Sequence, residues 1–467
     1  MLKLTDRQQE ACDSIKAYLV DPNRFVYTLS GVGGAGKSTL IKLAVEGKQN
    51  IVGATISHSA KFVLDESLRS VGASCYTVAQ LLGLTQTITE DGEVKFIPKK
   101  TNKFQTLPIE TARILIIDEC SMIDDKVYND IMSMKRDDCK VIFLGDVFQL
   151  APVEGNTDSI TFKHTEVELH ESVRYSGPIS DLGTMIRSQL EKIHENQPVS
   201  QFFLNEWMED GVRTSKVNSE GSGYIFLNKI EDVVRIAKKE FSSNEDPEAM
   251  RIIGYKNSTI EKINHVIRHQ LFGGDEDEVI PQFMPNELVV CNGGYSVKPG
   301  GAGFPLPVIY NNQGFKVKGV MEVVGPHDVN CLAMNLSPEV RLPVGASVYA
   351  LDWEKGRHSY FEILNELRRN AKVDGKQWPQ YYDFKAKFCE FDYGYALNSH
   401  KSQGRTFTDV IVFENDIFSV KKNSFKNKLQ SFYVACTRAK RRVYIYNNKY
   451  RVDQSDLPDF VKEELGL

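Results

Sequence analysis

The stretch Gly31-Val32-Gly33-Gly34-Ala35-Gly36-Lys37-Ser38 decides the fold of this chain. It fits the pattern G-x-x-x-x-G-K-[ST], and it lies between a predicted strand at residues 25–29 and a predicted helix that begins at about Lys37. Glycines at these positions let backbone N–H groups approach phosphate oxygens, and the start of the helix adds positive potential. The stretch therefore predicts a nucleotide-binding domain of the α/β class.

This loop also predicts the cofactors. Lys37 is expected to reach the β- and γ-phosphates of ATP, and Ser38 is expected to ligate Mg²⁺. The residues of the loop that we expect to contact the nucleotide are Gly33, Gly34, Ala35, Gly36, Lys37, Ser38 and Thr39. ATP and Mg²⁺ are thus the predicted cofactors.

Two further predicted strands, at residues 114–117 and 141–144, end in polar side chains. Asp118 and Glu119 follow the first strand, where one carboxylate can hold Mg²⁺ and its neighbour can polarise the attacking water. Gln149 follows the second strand and is predicted to sense the γ-phosphate. These residues indicate a P-loop ATPase, a class that also includes transporters, kinases and signalling switches.

Composition narrows the class of protein. The 467 residues exceed what one hydrophobic core usually serves, so we expect at least two domains. The net charge is −5, but residues 396–451 hold 12 Lys or Arg against 3 Asp or Glu, an excess of 9 that favours a phosphate-binding cleft. Eight scattered cysteines without a C-x-x-C pair predict reduced thiols in a cytoplasmic protein, and we expect no signal peptide or membrane span.

The pattern of strands and helices changes twice along the chain. Residues 86–96 carry a hairpin-turn signature around residues 90–93, and residues 281–391 are rich in glycine, proline and short predicted strands. The α/β pattern surrounds both segments. The other predicted strands are 51–55, 251–255, 315–320, 347–351, 410–413 and 442–446, and the predicted helices include 258–271 and 360–371.

Five more segments complete an ordered series of motifs. They are residues 4–8 (LTDRQ), 57–61 (SHSAK), 169–174 (LHESVR), 395–406 (YALNSHKSQGRT) and 433–439 (YVACTRA). Together with the glycine-rich loop and the two strand ends, they resemble the motifs of superfamily 1 helicases, specifically the RecD/Dda-like branch. The resemblance covers essentially the whole chain.

The resemblance implies further residues of the nucleotide site. Gln8 would read adenine through its two-sided amide, and Gln403 and Gly404 would connect the DNA-binding segment to the nucleotide. Arg174 would contribute to the cleft, and Arg438 would be the arginine finger. A positioned arginine can accelerate phosphoryl transfer roughly 10³–10⁵-fold. If Arg438 lies on a second domain facing Lys37, domain closure would complete the catalytic site and couple hydrolysis to movement.

The resemblance also implies a nucleic-acid track. Ser399, His400 and Lys401 would contact phosphates, which position a strand without reading its sequence. The remaining predicted DNA contacts are His58, Thr77, Tyr255, Asn257 and Phe96. Phe96 belongs to the hairpin, which corresponds in position to the family's separation pin. Its side chain would either pack against the parting bases or anchor the hairpin to its own domain.

The expected fold is α/β, with two RecA-like P-loop domains, a β-hairpin pin inserted in the first and an SH3-like β-rich insertion in the second. The predicted first domain comprises residues 1–85 and 108–179, with the pin at 86–107. The predicted second domain comprises residues 180–280 and 392–467, with the insertion at 281–391.

The function implied is that of an ATP-dependent DNA helicase moving 5′ to 3′ on single-stranded DNA. Forked and single-stranded DNA are the expected partners, with a single-stranded-DNA-binding protein as a further one. Resemblance also suggests an active monomer in a phage replication or recombination setting, within the host cytoplasm. Two alternatives stay open: a translocase or RNA remodeller that does not unwind duplexes, and a non-motor P-loop switch.

Overall fold

The computed structural model describes residues 4–88, 94–98, 106–152, 158–172, 177–195, 197, 208–209, 212–273, 279–297, 306–340, 342 and 346–465. The chain divides into two compact units. The first comprises Met1–Ile225, Ser402–Arg405 and Ile417–Val443, and the second comprises Phe226–Lys401, Thr406–Asp416 and Tyr444–Leu467.

Regular structure in the described residues alternates between strands and helices over much of the chain. The strands are β1 (Val26–Gly31), β2 (Ile51–Thr55), β3 (Ser74–Thr77), β4 (Leu84–Ile88), β5 (Val94–Pro98), β6 (Ile114–Ile117), β7 (Lys140–Gly145), β8 (Thr165–Leu169), β9 (Met208–Glu209), β10 (Val212–Thr214), β11 (Lys216–Val217), β12 (Gly223–Leu227), β13 (Met250–Gly254), β14 (Leu288–Asn292), β15 (Tyr295–Val297), β16 (Leu306–Ile309), β17 (Gly314–Val324), β18 (Asn330–Ser337), β19 (Val348–Leu351), β20 (Glu390–Tyr393), β21 (Ala396–Asn398), β22 (Phe407–Phe413), β23 (Ala439–Tyr446) and β24 (Arg451–Asp453). The α-helices are α1 (Asp6–Val20), α2 (Lys37–Ala44), α3 (His58–Leu68), α4 (Val78–Leu81), α5 (Pro108–Thr111), α6 (Asp125–Met134), α7 (Pro178–His194), α8 (Ile230–Ser243), α9 (Asn257–Phe272), α10 (Arg357–Val373), α11 (Trp378–Lys385), α12 (Ser399–Ser402), α13 (Glu414–Phe418), α14 (Phe425–Cys436) and α15 (Asp459–Leu465).

The first unit is built on a six-stranded parallel sheet in the order β3-β2-β6-β7-β1-β8. Its central strands are mostly buried, and every residue of β6 is apolar and buried. Such strands need a hydrophobic layer on both faces, and two separate core clusters cover them. The prediction of an α/β fold with a parallel P-loop sheet is confirmed.

A two-stranded antiparallel hairpin, β4–β5, leaves this unit after α4. Its register pairs Gln86 with Phe96 and Ile88 with Val94. The predicted turn at residues 90–93 lies outside the described residues. The hairpin strands therefore occur where the hairpin-turn signature of the sequence predicts them.

The second unit contains another parallel core, in which β13 pairs with β22 on one side and β21 on the other. Within this unit the three strands are adjacent in the order β22-β13-β21. All five residues of β13 are buried. Helix α9 follows β13 directly, so the strand–loop–helix arrangement of the first sheet occurs here as well.

A β-rich segment interrupts the second unit between α9 and β21. Five strands form an antiparallel sheet in the order β19-β18-β17-β14-β20, with its own buried core and with α10 and α11 between β19 and β20. A buried ion pair, Arg268 Nε to Glu287 Oε1 at 2.5 Å, connects α9 to the start of this sheet. The antiparallel character agrees with the predicted insertion, while its SH3-like identity and the domain boundaries stay predictions.

Two further properties concern the described helices and the cysteines. None of the described helices combines the length and apolar character that a membrane crossing requires. All eight cysteines are buried and none forms a disulfide.

Candidate nucleotide and nucleic-acid sites

The predicted nucleotide-binding residues follow three neighbouring strands of the first sheet. The glycine-rich loop follows β1, Asp118 follows β6 and Gln149 lies shortly after β7. These strands are adjacent in the order β6-β7-β1 and are parallel, so their carboxyl ends share one edge of the sheet. Ligands of open α/β sheets bind at this edge.

The glycine-rich loop depends on backbone conformations that side chains disfavour. Gly34 and Gly36 have φ angles of 80° and 85°, in the left-handed region. Helix α2 begins directly afterwards at Lys37, and no side chain caps its first turn. Its N–H groups are thus suited to an anion, which fits the phosphates of ATP.

Lys37 already points back into this loop. Its Nζ donates hydrogen bonds to the carbonyl oxygens of Gly31 at 2.6 Å and Val32 at 3.1 Å. Ser38 occupies the next position of α2 and is half-buried. The ammonium and the hydroxyl therefore lie at the helix start where the pattern predicts a phosphate and a metal ion.

Gln8 is joined to the loop through its side-chain amide. Its Nε2 donates to the carbonyl of Ala35 at 3.1 Å, and its Oε1 accepts the N–H of Thr5 at 3.0 Å. Thr5 Oγ1 in turn accepts the N–H of Gln8, which completes a capping box at the start of α1. The residue predicted to read adenine thus also supports the glycine-rich loop.

Glu119 has an unusual backbone conformation at the end of β6. Its φ and ψ are 55° and 40°, a left-handed conformation that is uncommon for a glutamate. Its N–H donates to Oδ1 of Asp118 at 2.8 Å. Strain of this kind is often found at functional sites, because the surrounding structure must impose it.

Gln403 contacts the residue predicted as the γ-phosphate sensor. Its Nε2 lies 3.3 Å from Gln149 Oε1 and 3.4 Å from Ser121 Oγ, and all three side chains are buried. Gln403 Oε1 is buried and has no hydrogen-bond partner among the described residues. Gly404, with φ of 74°, lies so close to Ala60 that an added Cβ would come within 3.1 Å of the alanine Cβ.

Arg438 lies in the first unit and is only 4% exposed. Its guanidinium donates to Val434 O at 3.0 Å, Thr437 Oγ1 at 3.2 Å and Arg405 O at 3.3 Å. The arginine is therefore held at the end of its own helix, α14. Its predicted approach to Lys37 stays a prediction, and Arg174 lies outside the described residues.

Asp146 connects the end of β7 to helices α7 and α14. This aspartate was not among the predicted site residues. This carboxylate accepts hydrogen bonds from Phe148 N–H at 3.1 Å, Arg187 at 3.1 Å and the Tyr433 hydroxyl at 2.9 Å. Arg187 and Tyr433 are 41 and 287 residues away in sequence. Tyr433 begins the motif at residues 433–439, but the sequence patterns give no signal that either Tyr433 or Arg187 meets Asp146.

The second unit presents its own group of predicted DNA-binding residues. Gly254, at the end of β13, pairs with Asn398, at the end of β21, so the loops after the two strands are neighbours. Asn398 Nδ2 donates to Asn257 Oδ1 at 3.0 Å, and the rings of Tyr255 and His400 meet edge to face at 5.7 Å. Ser399 is buried and donates to Gly254 O at 3.0 Å, whereas Lys401 is exposed.

Asp416, another residue that sequence patterns miss, organises this group. Its carboxylate accepts the N–H groups of Tyr255 at 2.6 Å and Lys256 at 2.9 Å and the hydroxyl of Thr259 at 2.6 Å. It therefore fixes the loop between β13 and α9, where Tyr255 and Asn257 lie.

Burial favours the uncharged form of both histidines among the predicted contacts. Burial lowers the pKa of His400, and burial together with the nearby Lys61 charge lowers the pKa of His58. These side chains would meet a phosphate as hydrogen-bonding groups, while Lys401 supplies positive charge.

The other predicted contacts lie on or near the first sheet. His58 begins α3 after β2, and Thr77 ends β3, where its hydroxyl oxygen accepts Gln80 N–H at 3.2 Å and caps α4. Phe96 is on β5, and the environment of its side chain lies outside what the structure describes.

Comparison with known protein families matches two parts of the chain. Residues 3–200 match the AAA domain family, and residues 393–446 match the UvrD-like helicase C-terminal domain. The first match covers the glycine-rich loop and the residues after β6 and β7. The second covers Ser399 to Lys401, Gln403 and Arg438.

Three similar proteins extend over nearly the whole chain. The ATP-dependent DNA helicase Dda of Enterobacteria phage T4 is 23% identical over 94% of this chain and 98% of its own length. An uncharacterised protein of Acanthamoeba polyphaga mimivirus is also 23% identical, over 94% and 98%. A structure of Pif1 helicases at forked double-stranded DNA is 17% identical with a TM-score of 0.49, over 99% of this chain and 97% of that one.

One assignment follows from both family matches, the nearly full-length similarity to a phage helicase and the ordered motifs at the ends of parallel strands. The chain is an ATP-dependent DNA helicase of superfamily 1 that resembles the Dda helicase over nearly its whole length.

Proposed function

We propose that this helicase moves 5′ to 3′ along single-stranded DNA and separates the duplex ahead of it. The observation that carries the proposal is the position of Gln403. Its side chain contacts Gln149, the residue proposed to sense the γ-phosphate, and only one residue separates it from Lys401, the exposed cation proposed to bind a DNA phosphate. A rearrangement at the nucleotide can therefore be transmitted to the DNA through the consecutive residues Gln403, Ser402 and Lys401.

In this proposal each nucleotide-site residue has a distinct role. Lys37 and the loop Gly33–Gly36 hold the phosphates, and Gln8 with Thr39 completes the nucleotide contacts. Ser38 and Asp118 would hold Mg²⁺, which neutralises phosphate charge when bound. Glu119 orients and deprotonates the attacking water. Gln149, Arg174 and Arg438 stabilise the charge that develops on the transferred phosphoryl group.

The DNA strand is held mainly through its phosphates. Lys401, His400 and Ser399 form the proposed contact after β21, and Tyr255 and Asn257 form the contact after β13. His58 and Thr77 would contact the strand on the first unit. Since phosphate contacts carry no base information, we expect little sequence preference.

The β4–β5 hairpin is the proposed separation pin. Each base-pair step costs on the order of 1.4 kcal/mol to unstack, so a rigid wedge can act when translocation supplies the force. If Phe96 packs against the parting bases, Phe96→Ala should slow unwinding and leave the ATPase stimulated by single-stranded DNA. If Phe96 instead anchors the hairpin, the variant should unfold at a lower temperature.

The wider setting of the helicase follows from the same family. We propose two RecA-like domains with the boundaries predicted above, the SH3-like identity of residues 281–391 and an active monomer. A single-stranded-DNA-binding protein is the proposed partner, in replication or recombination in a phage-infected cytoplasm.

The deciding experiment measures ATP-dependent unwinding of two duplexes, one with a 5′ single-stranded tail and one with a 3′ tail. Lys37→Ala serves as the control without turnover. Unwinding of the 5′-tailed duplex alone supports the proposal. Unwinding of the 3′-tailed duplex alone reverses the polarity, and strand-stimulated ATPase without unwinding of either identifies a translocase. A comparison of ATPase stimulation by matched DNA and RNA oligomers then separates a DNA motor from an RNA remodeller.

A further inference from the structure

One face of α14 carries three polar side chains that reach the same part of the chain. Lys426, Gln430 and Tyr433 are spaced i, i+4 and i+7, so they share one side of the helix. Lys426 Nζ contacts Asp158 at 2.7 Å, Gln430 Nε2 donates to Gln149 O at 2.8 Å, and the Tyr433 hydroxyl donates to Asp146 at 2.9 Å. The helix thus holds the segment after β7 at three points.

Helix α7 holds the same segment through Arg187. The guanidinium contacts Asp146 at 3.1 Å, also pairs with Glu168 and Glu191, and lies 4.5 Å from the centre of the Phe148 ring. The Asp146 side chain is fully buried and that of Arg187 is 4% exposed. A buried carboxylate with a charged partner and a hydroxyl donor is costly to displace, because any other position leaves it without compensation.

These contacts connect the two segments that carry the proposed catalytic groups. Gln149 lies three residues after Asp146, and Arg438 lies five residues after Tyr433 at the end of α14. Gln430 fixes the main chain of Gln149 directly. The position of the γ-phosphate sensor is therefore determined by the helix that carries the arginine finger.

We propose that Tyr433, with Arg187 and Gln430, is a positioning residue for ATP hydrolysis. It holds the Asp146–Gln149 loop where Gln149 can contact the γ-phosphate, and it makes that position depend on α14. The inference rests on the proposed roles of Gln149 and Arg438. None of the three positioning residues contacts the nucleotide in this scheme, and each acts through the loop.

Tyr433→Phe tests the hydroxyl alone, because phenylalanine keeps the ring packing. A hydrogen bond to a charged group stabilises by an amount that corresponds to about a tenfold to hundredfold change in an equilibrium or a rate. We expect kcat of the DNA-stimulated ATPase to fall by about that factor, while KM for ATP changes less than about threefold. Tyr18→Phe is the matched control, because it removes another buried tyrosine hydroxyl, bonded to Val141 O at 2.9 Å, away from the loop.

A second measurement separates positioning from a general loss of structure. If Tyr433 acts through Gln149, Tyr433→Phe should have almost no further effect in a Gln149→Ala background, since coupled residues are not additive. Arg187→Lys should retain more turnover than Arg187→Met, because the lysine keeps a positive charge beside Asp146. Thermal unfolding of every variant checks that the fold is intact.

The outcomes are distinct. A normal kcat in folded Tyr433→Phe, or a full effect of that change in the Gln149→Ala background, would overturn the inference. Absence of DNA-stimulated ATPase in the unaltered protein would instead overturn the proposed function on which the inference rests. A lowered kcat in Tyr18→Phe equal to that of Tyr433→Phe would assign both effects to stability and overturn positioning.

Discussion

At the scale of single residues, Glu119 combines a proposed chemical role with a disfavoured backbone conformation. Its left-handed φ of 55° places the side chain immediately after β6, beside Asp118. Such a conformation costs of order 1–3 kcal/mol and persists only where the fold imposes it. We interpret it as the means by which the carboxylate reaches the water that attacks the γ-phosphate.

Glu119→Gln should therefore reduce ATP turnover by roughly 10²–10⁴-fold, because an amide cannot accept the proton. Nucleotide binding, measured by titration with a fluorescent ATP analogue, should remain, since the glycine-rich loop and Lys37 are unchanged. Glu46→Gln, at an exposed position after α2, is the control. Turnover within a few fold of the unaltered protein would show that Glu119 is not the base.

Gln8 supplies a second test at this scale, because its amide makes two separable hydrogen bonds. Gln8→Glu keeps the oxygen that accepts Thr5 N–H but loses the donor to Ala35 O. We expect this variant to have the thermal stability of the unaltered protein and a KM for ATP that is raised about tenfold. One hydrogen bond between uncharged groups contributes about 1 kcal/mol, and the new carboxylate also repels the phosphates. Gln8→Ala should lose the cap as well, with about 1 kcal/mol less stability. An unchanged KM in Gln8→Glu would limit Gln8 to capping.

At the scale of elements, the β-rich sheet is attached to the second unit through buried charges. Lys316, on β17, is 3% exposed, and its ammonium donates to Phe241 O at 2.8 Å at the end of α8 and to Asn286 O at 3.3 Å. Burial, together with the nearby charge of Arg251, lowers the pKa of this lysine to about 8. In the unfolded chain the lysine regains its ordinary pKa of 10.5.

The sign of the pH effect follows from these values. Between pH 8 and 10.5 the unfolded chain binds more protons than the folded chain, so the contribution of Lys316 to stability rises with pH. Between pH 7 and 9.5 we expect the free energy of unfolding to rise by about 2 kcal/mol more in the unaltered protein than in Lys316→Met. Urea unfolding at several pH values measures this difference. If the free energies of unfolding of the two proteins change with pH in parallel, burial of the Lys316 ammonium carries no free-energy cost.

Regular elements were the most predictable part of the fold. Predicted strands at 51–55 and 114–117 match β2 and β6, and the predicted helix at 258–271 differs from α9 by one residue at each end. Their apolar runs and periodicities are local, so the sequence contains the needed information. The strand predicted at 442–446 begins three residues earlier, at Ala439, because basic residues Lys440 to Arg442 hide the apolar pattern.

At the scale of the whole molecule, a net charge of −5 must coexist with binding to a polyanion. The positive excess in residues 396–451 shows how the charge is distributed, and Lys401 is its exposed member beside the proposed DNA contacts. Binding to single strands weakens with salt in proportion to the number of phosphates neutralised.

Lys401→Ala should therefore reduce the slope of log K against log salt concentration by about 0.7 for a single-stranded oligomer. The measurement is fluorescence anisotropy at several salt concentrations. Lys16→Ala, which removes an exposed lysine of α1, should leave the slope unchanged. Equal slopes for Lys401→Ala and the unaltered protein would place the phosphate contact elsewhere.

The sequence by itself determined the class of the fold, the nucleotide loop and the order of the motifs. These depend on short-range patterns: glycines that permit positive φ, apolar runs that form buried strands, and polar residues that follow them. Gln403 was assigned to the nucleotide site only through the resemblance of its motif to the helicase family, and its side chain lies beside that of Gln149, another predicted site residue.

Only the tertiary structure decided which side chains meet. Asp146 with Arg187 and Tyr433, and Asp416 with the loop after β13, are contacts between residues up to 287 positions apart. A buried carboxylate requires donors, but any arginine, tyrosine or backbone N–H can supply them. The choice among them depends on how the helices pack, which no local pattern specifies.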